Sequence, residues 1–109
     1  MSWIIRELPE VERDMRRLDS SQRRLVAKLL LRVRENPLPA SEGGYGKPLG
    51  HKAGVDLTGL LKVKLKDAGL RVVYKLIRTE TVMLVIVVGV REDEEVYSEA
   101  QARLEKHDL

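Results

Sequence analysis

Residues 60–88 hold three apolar segments, Leu60–Leu65, Leu70–Arg78 and Val82–Val88, joined by two short connections, Lys66-Asp67-Ala68-Gly69 and Thr79-Glu80-Thr81. Connections this short predict hairpins, because a parallel crossover needs a dozen or more residues. The last segment, VMLVIVV, is aliphatic throughout, as expected of a strand buried on both faces. It is far too short to cross a bilayer as a helix. A mainly antiparallel sheet that needs cover from the rest of the chain is therefore the first constraint on the fold.

The N-terminal half offers that cover. Ser2–Leu8, with Trp3, Ile4 and Ile5, reads as a strand. Pro9 suits a first helical turn, and Val11, Met15 and Leu18 recur at helical spacing. Asp19-Ser20-Ser21 offers N-cap oxygens to a second helix. There Leu25, Val26, Leu29, Leu30 and Val33 form an apolar stripe, Arg23, Arg24, Lys28, Arg32 and Arg34 surround it, and Asn36-Pro37 ends it. From Asn36 to about Gly59 the chain is rich in Gly, Pro and Ser and reads as loop with at most a short extended piece. A loop that long is usually functional or mobile. Gly43-Gly44-Tyr45-Gly46 reads as a turn, since no strand feeds it. Glu94–Lys106, with Ala100 and Leu104 four apart, predicts a C-terminal helix. With no repeat or linker in 109 residues, the expectation is one domain over residues 1–109. Its class is α+β: an N-terminal strand and helical hairpin packed on a mainly antiparallel four-stranded sheet, with a short C-terminal helix. Phe is absent, so the core must be Leu, Val and Ile, joined by Trp3 and Tyr74.

The chain has no Cys, which excludes a disulfide framework and thiolate metal sites. MSWIIRELPE lacks the long apolar stretch of a signal peptide. The expectation is a cytoplasmic protein with no membrane partner. Charge is uneven along the chain. Residues 60–91 carry seven cations (Lys62, Lys64, Lys66, Arg71, Lys75, Arg78, Arg91) against Asp67 and Glu80, whereas residues 92–109 carry seven acids and two cations. The middle block is the candidate surface for an anionic partner.

Within that block Lys62 and Lys64 alternate with Leu61, Val63 and Leu65, so both ammonium groups leave one face of a strand, roughly 6.6–6.8 Å apart. If Leu65 pairs with Leu70, Lys64 lies opposite Arg71. Lys62, Lys64 and Arg71 then share one face, and Leu61, Val63, Val72 and Tyr74 share the other under the helices. Like charges directly opposite destabilise a sheet unless an anion or acid intervenes, which points to a bound phosphate. Other chemistries find no support. There is no Gly-x-x-x-x-Gly-Lys-Ser/Thr loop and no His-Glu-x-x-His, and neither His51 nor His107 has a partner at metal-ligand spacing. Taken singly, each cation has a plain reading. Alternating lysines mark a solvated strand face, Arg71 and Arg91 suit weak surface ion pairs with Glu92–Glu95, and Tyr97 suits packing at a helix start.

Taken together, K-V-K-L, then G-L-R-V-V-Y, then V-G-x-R-E-x-x-E-V-Y-S-E-A over residues 60–103 resemble the C-terminal half of RelE-type toxins of the RelE/ParE superfamily. These are ribosome-dependent mRNA endoribonucleases of type II toxin–antitoxin modules. By that resemblance Lys62 and Lys64 match the paired strand lysines, and Arg71 the arginine that opens the next strand. Arg91 matches the arginine after the last strand, and Tyr97 the tyrosine opening the final helix. Val90 departs from the pattern, standing where many members carry a second cation. Leu70 often corresponds to an aromatic residue, Asp93 adds an acid, and the loop before Leu60 is longer than usual.

The resemblance implies attack of a ribose 2′-OH on the adjacent phosphate, leaving a 2′,3′-cyclic phosphate or 3′-phosphate and a 5′-OH, with no metal or cofactor. Preorganised cations would stabilise the phosphorane. Guanidinium forks such as Arg71 and Arg91 can bind two of its oxygens at once. Crowding by Lys62 and Arg71 should favour a neutral Lys64 that could take the 2′ proton. Tyr97 is the alternative base, or a stacking partner for a nucleobase. The implied partners are the ribosome, mRNA in its A site, and a cognate antitoxin docking on the basic helical hairpin or the C-terminal helix. Two rivals stay open: a ParE-like toxin that inhibits gyrase, and a basic RNA- or ribosome-binding domain without catalysis.

Overall fold

A computed structural model describes residues 2–52, 54–90 and 93–109. In chain order the elements are β1 (Ile4–Glu7), α1 (Pro9–Arg16), α2 (Ser20–Val33), β2 (Lys47–Lys52), β3 (Val55–Leu65), β4 (Leu70–Ile77), β5 (Val82–Gly89) and α3 (Asp93–Lys106). The strands form one sheet ordered β1-β5-β4-β3-β2. β1 joins β5 in parallel and every other pair is antiparallel. The α+β class stands, with one strand more than expected.

The extra strand lies inside the stretch read as loop. β2 pairs with β3, and β3 begins at Val55 rather than at Leu60. Gly and Pro hid this pair because here they shape a strand instead of ending it. The β2–β3 register shifts between Pro48 and Gly50, and Gly50 (φ 58°) takes the left-handed backbone that a bulge of this kind needs. Between residues 47 and 59, among those whose burial is described, Leu49 and Leu57 are the apolar side chains in the core, too few to show a period of two.

The helices form for the local reasons the sequence suggests. Pro9 opens α1, with Glu10 and Glu12 in its first turn and Arg13 and Arg16 in its last, matching the helix dipole. Asp19 caps α2 in a reciprocal box: its Oδ1 accepts from the Gln22 backbone N–H at 2.8 Å, and Gln22 Oε1 accepts from the Asp19 N–H at 2.9 Å. Val26, Leu29, Leu30 and Val33 are buried along α2, while Leu25 on the same predicted stripe is exposed. α1 packs on β1 and β5, and α3 packs on β3 and β5 through Val96, Tyr97 and Ala100. Cover on both faces is why all eight residues of β5 are buried.

Two polar groups complete this core. Tyr74 is fully buried, and its hydroxyl donates to the Pro37 carbonyl at 2.8 Å, tying β4 to the end of α2. Burial keeps that hydroxyl protonated well above the usual tyrosine range. Trp3 is only partly buried, at the margin of the core. At the other side of the sheet, β1 stops pairing after Glu7↔Val85, although β5 continues. Asp14 of α1 and Arg103 of α3 finish that edge. Asp14 Oδ2 accepts from the Val88 N–H at 3.0 Å, and Arg103 Nη1 donates to the Ile86 carbonyl at 2.9 Å. The two side chains pair with each other at 2.6 and 2.8 Å. Burial works against the Arg103 charge, but Asp14 and then Glu99 outweigh it, so the guanidinium holds its proton more firmly than usual. Among the described residues no helix is long and apolar enough to cross a membrane.

Candidate catalytic site

The strand register places the cations as the alternation predicts. Leu65 pairs with Leu70, Lys64 with Arg71 and Lys62 with Val73. Arg71 faces Gly89 of β5 on its other side, so a row Lys64–Arg71–Gly89 crosses three strands, and Gly89 adds no side chain to it. Lys62 and Lys64 project to the side of the sheet covered by α3, because the Lys62 ammonium meets Tyr97 of that helix.

Burial divides these residues into two kinds. Lys62 is only 7% exposed and Tyr97 only 4%. Lys62 Nζ donates to Tyr97 Oη at 2.7 Å and lies 5.4 Å from the centroid of the same ring. A buried ammonium costs several kcal/mol unless its donors are met, and the bond to the phenol oxygen offsets part of that cost. Lys64 is exposed and Arg71 half-buried, with Arg71 Nη1 donating to the Gly69 carbonyl at 3.0 Å. The row therefore presents one exposed ammonium and one tethered guanidinium, backed by a buried Lys–Tyr pair. Val90, which stands where many family members carry a second cation, is 45% exposed just past β5. Arg91 lies outside the described residues.

Such a face can hold a tetrahedral anion, since the guanidinium supplies directional donors and the ammonium a compact charge. No cluster of three His, Cys, Asp or Glu able to hold a metal occurs among the described residues. Sequence reasoning missed two supporting groups, Asp14 and Arg103. A signal was present: Asp14 sits three residues after Val11 on the apolar stripe of α1, and Arg103 three after Ala100 on that of α3. A charge at an apolar-stripe position forecasts a buried partner.

No protein-family model matches the chain. Individual relatives do. The mRNA interferase toxin RelE of Escherichia coli K12 is 36% identical over 92 residues, spanning 84% of this chain and 86% of that one. The chain belongs to the RelE family. Among solved structures, an arginine-to-alanine double mutant of E. coli RelE in the free state superposes with a TM-score of 0.72 at 30% identity, covering 95% of this chain and 99% of that one. The same kind of RelE mutant in complex with an antitoxin RelBc peptide gives a TM-score of 0.66 at 30% identity, covering 92% and 95%. The RelE relationship thus spans the α1–α2 hairpin and the hidden β2 as well as the C-terminal motif.

Proposed function

We propose that this RelE-family protein is the toxin of a type II toxin–antitoxin pair, a metal-independent endoribonuclease that cleaves mRNA in the A site of cytoplasmic ribosomes and is held in check by a cognate antitoxin. Family membership supports the class of activity. The observation that carries the site assignment is the Lys64–Arg71 pairing on the face where Lys62 is bonded to Tyr97. Two cations held side by side on one face can both reach the oxygens of one phosphate, the guanidinium through its fork and the ammonium as a compact charge.

In this reading Lys64, the exposed member, takes the proton of the ribose 2′-OH. The 2′ oxygen then forms a bond to phosphorus, the bond from phosphorus to the 5′ oxygen breaks, and that oxygen takes a proton from the Arg91 guanidinium, which regains one from solvent. The products are a 2′,3′-cyclic phosphate and a 5′-OH. Arg71 holds the non-bridging oxygens, where charge grows in the transition state. The Tyr97 hydroxyl is committed to Lys62, so the pair positions a second positive charge beneath the phosphate and Tyr97 is the less suitable base. Arg91 is assigned to the leaving oxygen by its match to the family motif.

The test is cleavage of mRNA by purified protein in a reconstituted translation reaction, with the new 5′ ends mapped by primer extension. Arg71→Ala should lower the single-turnover rate by roughly 10²–10³-fold, the cost of removing one preorganised transition-state donor. Intact mRNA at every codon, or cleavage unaffected by Arg71→Ala, refutes the assignment.

A further inference from the structure

Between α2 and the end of β3 lies a cleft of about 390 Å³. Five of its ten lining residues are Lys or Arg and none is Asp or Glu. Leu29 and Val33 of α2 and Val63 of β3 form an apolar floor, and Tyr45, 53% exposed, stands at the rim with Arg32, Lys47 and Lys66. Lys64 lines this cleft and also belongs to the catalytic row, and Lys62, which backs the row, lines it too, so the two are continuous. The cleft opens where β2 ends: its first residue, Lys47, pairs with Lys62, and β3 runs on to Leu65 without it.

We propose that this cleft is a second RNA subsite, which takes one unstacked nucleotide of the strand whose neighbouring phosphate lies at Lys64 and Arg71. The chemistry matches part by part. The base stacks on the Tyr45 ring over the apolar floor, and the flanking phosphate meets Lys47 and Lys66. Single strands are held in this way, by aromatic platforms along a basic groove. An acidic protein segment would satisfy the charges too, but the cleft has the roughly 300–1,000 Å³ of a small-ligand site. It is not the broad patch, on the order of 800 Å² per partner, of a protein interface. Continuity with the row favours RNA, since a strand bound at Lys64 can pass across the edge of β3 directly into the cleft. The subsite rests on the nuclease reading for its biological substrate, but its own test does not depend on catalysis.

That test uses a short single-stranded RNA in which every ribose is 2′-O-methylated, so that it binds without being cleaved. Affinity is read by fluorescence anisotropy across a salt series. Tyr45→Ala should weaken binding about tenfold, and Tyr45→Trp should restore it, because stacking tolerates any large ring. Lys47→Ala with Lys66→Ala should make the log–log salt dependence shallower by about 0.7, one phosphate at the single-strand value. All three positions are exposed, so melting temperatures should match the parent and separate a binding loss from misfolding. Parental affinity and salt slope in these variants overturn the proposal. So does a pattern in which they bind RNA normally but lose an acidic antitoxin, which would give the cleft to a protein partner. If the parent binds this RNA through Tyr45 yet cleaves no mRNA on ribosomes, the nuclease reading fails and the subsite stands.

Discussion

The Asp14–Arg103 pair is the sharpest place to test how α3, and Tyr97 with it, is held to the sheet. The two side chains are 1% and 6% exposed, and removing one partner leaves the other charge in the core. A buried pair broken in this way costs about 3–5 kcal/mol. Asp14→Asn keeps an oxygen for the Val88 N–H and removes only the charge. Glu99 stays 3.0 Å from Arg103 Nε, which sets the expectation at the lower end, about 3 kcal/mol. For 109 residues the unfolding entropy is about 0.23 kcal/mol/K, so Tm should fall by about 13 °C. Asp14→Ala also strips the Val88 N–H of its acceptor and should cost a further 1–3 kcal/mol or so. Combining Asp14→Leu with Arg103→Met removes both charges, so it should cost less than the sum of the single changes by about 2 kcal/mol. Urea melts at neutral pH, analysed as a double-mutant cycle, measure each term. A cost below about 1 kcal/mol for Asp14→Asn, or additive single changes, would refute the claim that this pair closes the β5 edge.

Three further outcomes are expected. Tyr97→Phe removes the oxygen that Lys62 Nζ donates to and should destabilise the fold by about 1–3 kcal/mol, read by urea titration, with cleavage falling as Lys62 loses its fixed position. Gly46→Ala would drive a Cβ into the Tyr74 hydroxyl, so it should lower stability by roughly 1–3 kcal/mol, and Tyr74→Phe in the same chain should relieve part of that. Acid should loosen the end of α3. The hydrogen bond from His107 is the largest influence holding the Glu10 carboxyl down at about 2, and Lys106 adds to it. A depressed carboxyl stabilises the fold above its unfolded value of 4.5, and that contribution is lost as pH falls from there towards 2. Glu10→Gln should flatten the decline in stability between those limits; an unchanged acid melt would contradict the contact.

Most of the strand and helix pattern was legible in the sequence because it depends on neighbours. Hairpin turns of three or four residues fix antiparallel pairing, and a period of two places Lys62 and Lys64 on one face. The Lys64↔Arg71 register followed from pairing Leu65 with Leu70, and the fold keeps it. The Asp19 cap and the C-terminal helix were readable for the same local reason. β2 was not, because its Pro48 and Gly50 flank a bulge whose need arises only once β3 is beside it. Leu25 was misread as core because a helical stripe says which residues share a face, not how much of that face the sheet reaches.

What the sequence determined by itself is the identity and order of the cationic side chains and the face of the strand they leave from. Covalent spacing and the pleat set both. Only the tertiary structure decided which cations are buried and which face solvent. α3 settles over β3 and takes Lys62 into contact with Tyr97, while Lys64, two residues on, stays exposed at the end of the strand. Two lysines equivalent by alternation thus become a buried charge and an exposed one. The difference is desolvation, which depends on elements 35 residues apart meeting in space.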